Sequence, residues 1–136
     1  MRFAVSTDGL DEALGTLRLL AAKGKNLSPM LDELGQDEKA RVLMRFENSE
    51  APDGTAWQAL KQPRPRGGDK PLQDTGVLMG SITAQVHGNT LQVGTATDYA
   101  HYHQFGTKHI PARPFLGVTD DLLASIKELT HAWFNL

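Results

Sequence analysis

The amino-acid sequence predicts an α+β fold in which an N-terminal helical hairpin, a small antiparallel β-sheet and a C-terminal helix follow one another. Three observations lead to this prediction. Apolar residues recur at helical spacing over residues 8–49, two short alternating runs flank Gly88-Asn89, and helical spacing returns after Thr119. A chain of 136 residues, of which 40% are hydrophobic, can bury a core without disulfides or metals, and we expect one domain over residues 1–136.

The N-terminal region carries start and stop signals for two helices. Asp8 can cap the first helix and Gly24 can end it. Ser28 precedes Pro29, which suits a first helical turn, so Ser28 is predicted to cap the second helix. Gly35 weakens the helical pattern and predicts a bend or a restart. The apolar faces comprise Leu10, Leu14, Leu17 and Ala21 in the first helix, and Leu31, Leu34, Val42, Leu43 and Phe46 in the second.

The middle of the chain is predicted to be irregular. Pro52-Asp53-Gly54 is a turn signal, because proline presets one dihedral angle and glycine accepts a positive φ. Trp57 lies three residues before Leu60, which predicts a short helical turn with the indole in the core rather than at an interface. Residues 61–71 contain basic residues, prolines and glycines without a large apolar side chain, so we expect a mobile loop.

The second half predicts the sheet and the remaining helices. Ile82, Ala84 and Val86 alternate with polar residues, Gly88-Asn89 makes a hairpin turn, and residues 90–95 return as the second strand. Residues 98–104 can form one or two helical turns that stop at Gly106. Thr119-Asp120 can cap the last helix. Its apolar face comprises Leu122, Leu123, Ile126, Leu129 and Trp133, and whether Trp133 and Phe134 pack on this domain or contact a neighbour is open.

Composition excludes several classes of function. A net charge of −2 favours neither nucleic-acid binding nor membrane-surface binding. The absence of cysteine excludes disulfides, thiolate catalysis and zinc–sulfur sites. No signal peptide is visible at the N-terminus, and the apolar runs fall far short of the roughly 20 residues that span a bilayer. We therefore expect a protein of the cytoplasm that has no cofactor and no membrane contact.

The triplet Asp74-Thr75-Gly76 is the signature of aspartic proteases, in which two such aspartates share a proton and activate water. A chain of half the usual size could do this as a homodimer. The protease triplet follows a hydrophobic strand, however, whereas Lys70-Pro71-Leu72-Gln73 precedes it here. The sequence favours a turn or helix cap, and a dimeric aspartic protease is the alternative.

His101, His103 and His109 are close in sequence and form a second candidate for chemistry, because imidazoles bind zinc and copper. On a strand His101 and His103 would share a face, but on a helix they would not. No carboxylate stands at a convincing helical spacing beside them. Hydrogen-bonding surface groups are therefore favoured over a histidine metalloenzyme, and no metal is expected.

The basic residues Lys61, Arg64, Arg66 and Lys70 lie in the predicted loop. Such a run is usually a solvated connector. It can also be an arm that contacts DNA phosphates or an acidic partner. No aromatic residue interleaves with the arginines, so base stacking is not implied.

Two closely spaced runs, residues 99–107 and 110–117, combine aromatic residues, small residues and prolines, which suit a fixed backbone and an apolar surface better than catalysis. With the segments before them, these runs give the chain a resemblance to the phage virion morphogenesis proteins, also called tail completion proteins, of Mu-like and related contractile-tailed phages. The matching segments, in order, are Phe46, Pro52-Asp53-Gly54, Trp57-Gln58-Ala59-Leu60, Leu72 to Gly76, Leu78, Ser81-Ile82, Val93-Gly94, Tyr99-Ala100, His103-Gln104-Phe105-Gly106 and residues 110–117.

The resemblance implies a structural, non-enzymatic subunit that completes the tail or forms part of the head–tail junction. It also implies a ring, often six-fold, with tail-end, tube and head-neck proteins as neighbours, and a location in the host bacterial cytoplasm before the virion. No catalytic residue carries over. The signature residues expected to be structural or interfacial are Trp57, Asp74, Thr75, Gly76, Tyr99, His103, Phe105, Gly106, Arg113, Pro114 and Phe115.

Overall fold

The structure is a computed structural model that describes residues 10–61, 71–72 and 76–135. It contains five helices and two strands within these ranges. In chain order they are α1 (Leu10–Ala22), α2 (Ser28–Asn48), α3 (Val77–Gly80), β1 (Thr83–His87), β2 (Thr90–Gly94), α4 (Ala100–Phe105) and α5 (Asp120–Phe134). The predicted α+β class is confirmed. Predictions for the Asp8 cap, for Asp74 and Thr75 and for residues 62–70 of the basic loop lie outside the described residues.

Helix α5 packs antiparallel on α2. The Arg41 guanidinium of α2 bonds the Ser125 hydroxyl near the start of α5, and the Thr130 hydroxyl, one turn or more later, faces the Met30 sulfur at 3.9 Å. Thr119 caps α5 as predicted, because its hydroxyl accepts the Leu122 N–H at 3.1 Å. The apolar layer between α1, α2 and α5 comprises Leu17, Leu20, Leu27, Met30, Leu31, Leu34 and Ile126.

The C-terminal aromatics contact their own domain. Phe134 packs against the layer between α1, α2 and α5. Trp133 is exposed, and its indole N–H donates to the Glu33 carboxylate at 2.9 Å. The prediction that Trp133 belongs to the apolar face of α5 is therefore wrong, because the indole is exposed and bonds the polar side chain of Glu33 on α2.

The start of α2 differs from the predicted cap. Ser28 is the first helical residue, and Leu27 occupies the cap position without a side-chain hydrogen bond. The Ser28 hydroxyl instead donates to the Gly88 carbonyl in the hairpin turn at 2.7 Å. The serine therefore ties the sheet to the helix, which is a tertiary role that local sequence does not reveal.

Strands β1 and β2 form an antiparallel hairpin with His87 opposite Thr90, as the Gly88-Asn89 turn predicts. Its inner face packs on α2. Gly35 makes this approach possible, because a Cβ there would lie 2.8 Å from the Leu91 Cδ1 and 3.2 Å from the Ala84 Cβ. Helix α2 runs through Gly35 without a break, so the predicted restart is wrong, and close packing explains the glycine.

A second apolar cluster lies between the end of α2, the irregular segments and α4. Its buried members are Val42, Phe46, Trp57, Leu72, Leu78, Ile82, Ala100 and Phe115. Trp57 is buried as predicted but not in a helical turn. Its backbone N–H donates to the Ser49 carbonyl at 2.8 Å, and the adjacent Ala56 bridges to Glu50 as extended backbone.

We expect the substitution Gly35→Val to destabilise the fold by about 1–3 kcal/mol, because the new side chain would overlap Leu91 and Ala84. The matched control is Gly15→Ala in α1, where a Cβ would meet nothing within 4 Å. That change should stabilise by up to about 1 kcal/mol through helix propensity. Urea unfolding of both variants measures the difference, and equal stability of Gly35→Val and wild type would contradict the packing argument.

Candidate assembly surface

The segment of residues 110–117 has no regular secondary structure, and the buried side chain of Gln104 on α4 holds it in place. The Gln104 Oε1 accepts the Phe115 N–H at 3.0 Å and the Leu116 N–H at 3.1 Å. Its Nε2 donates to the Leu116 carbonyl at 2.7 Å. One amide therefore satisfies three backbone groups of a segment that has no strand partner to do so.

Arg113 fastens the same segment to the residues after Trp57. Its guanidinium is buried and donates to the carbonyls of Gln58 at 2.8 Å and Ala59 at 3.3 Å. Its backbone N–H donates to the His103 carbonyl at the end of α4 at 2.7 Å. These contacts join the guanidinium and the backbone of Arg113 to main-chain carbonyls of the same chain.

The two residues that follow Arg113 enter the core. The Pro114 carbonyl accepts the Trp57 indole N–H at 2.7 Å. Phe115 is fully buried, with its ring centroid 5.4 Å from that of Phe46. The Phe115 carbonyl accepts from the Arg45 guanidinium at 2.8 Å. Trp57, Pro114 and Phe115 therefore make contacts within the fold.

Gly106 turns the chain from α4 into the segment. Its φ is +75°, and a Cβ there would lie 2.8 Å from the Ala112 N and 3.1 Å from the Ile110 carbonyl oxygen. Both neighbours are backbone atoms that cannot move aside, so this position needs glycine. Thr107 completes the turn, since its N–H donates to the Ile110 carbonyl at 2.8 Å.

The fixed segment supports an exposed aromatic surface, which we define as Tyr99, Tyr102 and Phe105 on and beside α4, with Val77 of α3. The exposed fractions of the three aromatic residues are 40%, 45% and 55%. Beside them lies a groove of about 440 Å³, whose lining includes Val77, Tyr99, His103, Ile110 and Pro111. An aromatic surface next to a groove is typical of a contact site for another macromolecule.

The histidines do not form a metal site in the part of the chain that is described, where no group of three or more His, Asp or Glu side chains could hold an ion. His101 and His103 lie on α4, so they point in different directions, and the Nδ1 atom of each is buried without a hydrogen-bond partner. The His101 ring lies 4.0 Å from the Tyr102 ring, and the His103 ring meets Tyr99 edge-on at 5.9 Å. Burial, and secondarily the positive charge of Arg113, lowers the pKa of His103 below its usual 6.5.

Two groups of candidate residues are only partly described. Gly76 has a φ of +74° and lies at the start of α3, which fits a turn at the end of the Asp74-Thr75-Gly76 triplet. Asp74 and Thr75 themselves lie outside the described residues. In the basic loop Lys61 is exposed, and Arg64, Arg66 and Lys70 lie outside the described ranges.

A buried ionic cluster behind the segment was not anticipated from the sequence. Glu38 of α2 accepts from Arg41 at 2.9 Å and from Arg45 at 3.2 Å, and both Glu38 and Arg45 are buried. The spacing of Glu38, Arg41 and Arg45 along one helical face could have indicated it. The role of Gln104 had no such signal, because its partners are backbone atoms of residues 115 and 116.

The chain matches the model of the phage virion morphogenesis family over residues 5–135. The chain belongs to the phage virion morphogenesis family. It is 34% identical to Mu-like prophage FluMu G protein 2 of Haemophilus influenzae over 139 aligned residues, which cover 97% of this chain and 96% of the relative. It is 33% identical to FluMu G protein 1 of the same organism, over 80% of this chain and 84% of the relative.

No solved structure matches the chain significantly. Membership of the family gives the protein a structural role in virion assembly and a location in the virion or in the host cell during assembly. Family membership also favours a structural function over a catalytic one for this protein. None of the helices in the described part of the chain has the length and hydrophobicity to cross a bilayer.

We expect Gln104→Ala to destabilise the fold by about 2–4 kcal/mol, because it leaves the Phe115 and Leu116 N–H groups without their acceptor. The control is Gln36→Ala at an exposed position of α2, which should be nearly neutral. Denaturant unfolding gives both values. A small cost for Gln104→Ala, similar to that of the control, would show that the segment is held by other contacts.

The lowered pKa of His103 predicts a specific dependence of fold stability on pH. Because its pKa is lower in the folded chain than in the unfolded one, its contribution to stability is fully present above about pH 6.5 and is lost as the pH falls through the folded pKa. We expect the melting temperature of His103→Gln to fall less than that of wild type between about pH 7 and about pH 5. Thermal denaturation across this range measures the difference, and parallel curves would contradict the assignment.

Proposed function

We propose that the protein is a non-enzymatic subunit that self-associates into a ring and completes the phage tail or forms part of the head–tail junction. The observation that supports this most is the exposed aromatic surface of α4, which rests on a rigidly bonded segment. Family membership does not by itself imply a position at the junction, a ring or the symmetry of that ring. These three features are what we propose. The subunit would act within the host cell and then in the virion.

Rigidity is what makes this surface suitable for assembly. Gln104, Arg113 and Trp57 each bond the backbone of residues 110–117 or its neighbours, so docking would not have to order that backbone. The entropy of ordering opposes association, and a surface that is already fixed avoids part of this cost. The groove beside Tyr99 offers a pocket in which a partner side chain could be buried, as in binding hot spots.

The partners in this proposal are other copies of the chain, which form the ring, and tail-end, tube or head-neck proteins, which meet the α4 surface. The basic residues Lys61, Arg64, Arg66 and Lys70 could approach DNA that passes the junction, through contacts with phosphates. Such a contact would not involve stacking on the bases, since no aromatic side chain interleaves with the arginines.

Complementation of a gene deletion in the parent phage tests the proposal. We expect the double variant Tyr102→Ser with Phe105→Ser to fold normally and to reduce the yield of infectious particles by at least roughly tenfold, because it removes two exposed aromatic anchors. Circular dichroism and melting curves verify the fold.

Met44→Ser is the matched control, because Met44 is 54% exposed and lies on α2 rather than on α3 or α4. Its particle yield should equal that of wild type. Full complementation by the aromatic double variant would contradict a role of the α4 surface in assembly.

A further inference from the structure

The β-hairpin has two edges that carry no further strand in the described part of the chain. His87 and Thr90 flank a two-residue turn and form a hydrogen-bonded pair, so the pairs Val86–Leu91 and Ala84–Val93 are non-hydrogen-bonded. The backbone N–H and C=O groups of Leu91 and Val93 therefore point away from β1, along the edge of β2. Those of Ala84 and Val86 point away from β2 along the opposite edge.

Neither edge has the features that usually prevent strand addition. Natural edge strands carry lysine or another charge, a proline or a bulge. Here residues 77–97 contain no Asp, Glu, Lys, Arg or Pro, in a chain of which 22% is charged, and the register of the hairpin continues without a bulge.

A groove runs beside β2, with a volume of about 1240 Å³. Residues 89–97 line the sheet side, together with Thr83 and Gln85 of β1. The other side is mainly apolar, with residues of α1 and α5 such as Leu14, Leu17, Leu122 and Ile126, and it also includes the charged Arg18 and Glu38. A strand that paired with β2 would place alternate side chains against this apolar wall. The mainly apolar wall suits an uncharged strand, since burying a charged side chain against it costs hydration.

We propose that β1 of one copy pairs with β2 of the next copy, so that the sheet continues from subunit to subunit. The two edges are compatible in charge. Strand β1 (Thr83–His87) contains no Asp, Glu, Lys or Arg, so it can enter the groove without desolvating a charged side chain. The pairing is head-to-tail, it uses both edges of every copy, and a rotation closes it into a ring. A two-fold β2–β2 pairing would leave both β1 edges open.

The proposal rests on the ring of the proposed function and assigns its subunit contact. It leaves the exposed aromatic surface of α4 available for another virion protein. One five-residue strand buries much less than the roughly 800 Å² per partner of a stable complex. The apolar walls of the groove and closure of the ring must supply the remainder, so the contact should be weak in a pair of copies and stable in a closed ring.

Disulfide trapping tests this pairing, because the chain contains no cysteine. Single variants are made on the exposed face of β1 (Thr83→Cys, Gln85→Cys) and on that of β2 (Thr90→Cys, Gln92→Cys), together with the exposed control Gln36→Cys on α2. Each β1 variant is mixed with each β2 variant that carries a size tag, and the mixture is oxidised at the concentration at which rings form. Electrophoresis then separates mixed dimers from homodimers.

We expect at least one β1/β2 mixture to give mixed dimers in yields roughly tenfold above those of the Gln36→Cys control, because pairing raises the local thiol concentration. The best pair of positions reports the register. Yields equal to the control in every mixture would overturn the proposal, and so would a preference for Gln92→Cys homodimers, which would indicate two-fold β2 pairing.

The same variants in particles from the complemented deletion separate this inference from the proposed function. Incorporation into particles without β1/β2 disulfides would leave the assembly role standing and would refute the strand pairing. Disulfides in the purified protein without incorporation into particles would support the pairing and count against the role in the virion.

Discussion

The amide of Gln104 is the interaction on which the irregular half of this structure depends. Helices and paired strands satisfy their backbone hydrogen bonds through regular secondary structure. The segment of residues 110–117 forms neither, so its buried N–H and C=O groups need partners from elsewhere. Gln104 provides for three of them, at 2.7–3.1 Å. Arg45 and Trp57 donate to the Phe115 and Pro114 carbonyls of the segment. Arg113, which belongs to the segment, donates to the Gln58 carbonyl. Because α4 carries Gln104 inward, the other side of the same helix faces outward with its aromatic residues.

This arrangement relates the signature residues of the family to a physical task. The buried side chains hold the backbone of residues 110–117 in place, and the exposed side chains offer apolar surface. Helix α4, which is six residues long, carries residues of both sets. Glu38 with Arg41 and Arg45 extends the support into α2. A buried ion pair adds little net stability over a hydrophobic pair, but loss of one partner is costly, and such a cluster therefore favours a single geometry in this half of the fold. Fixed geometry suits the structural role in virion assembly that family membership gives the protein.

The sequence predicted those parts of the fold that depend on local periodicity and turn chemistry. The hairpin at Gly88-Asn89, the cap at Thr119 and the end of α4 at Gly106 were all confirmed. The errors have a tertiary origin. Ser28 bonds Gly88, sixty residues away, instead of capping its own helix. Gly35 admits Leu91, and α2 continues through it without the predicted restart. For the candidate site, the burial of Trp57 was predicted from the sequence, whereas the bonds of Gln104 and Arg113 to backbone atoms are not encoded by any side-chain pattern.

The central claim is that this chain is a structural part needed where the phage tail is completed. Electron microscopy of lysates from the parent phage with this gene deleted tests it most directly. The account predicts heads and tails that fail to join, or tails with a faulty head-proximal end or length, and restoration of normal particles by the wild-type gene. Intact, infectious particles in the absence of the gene would contradict the claim.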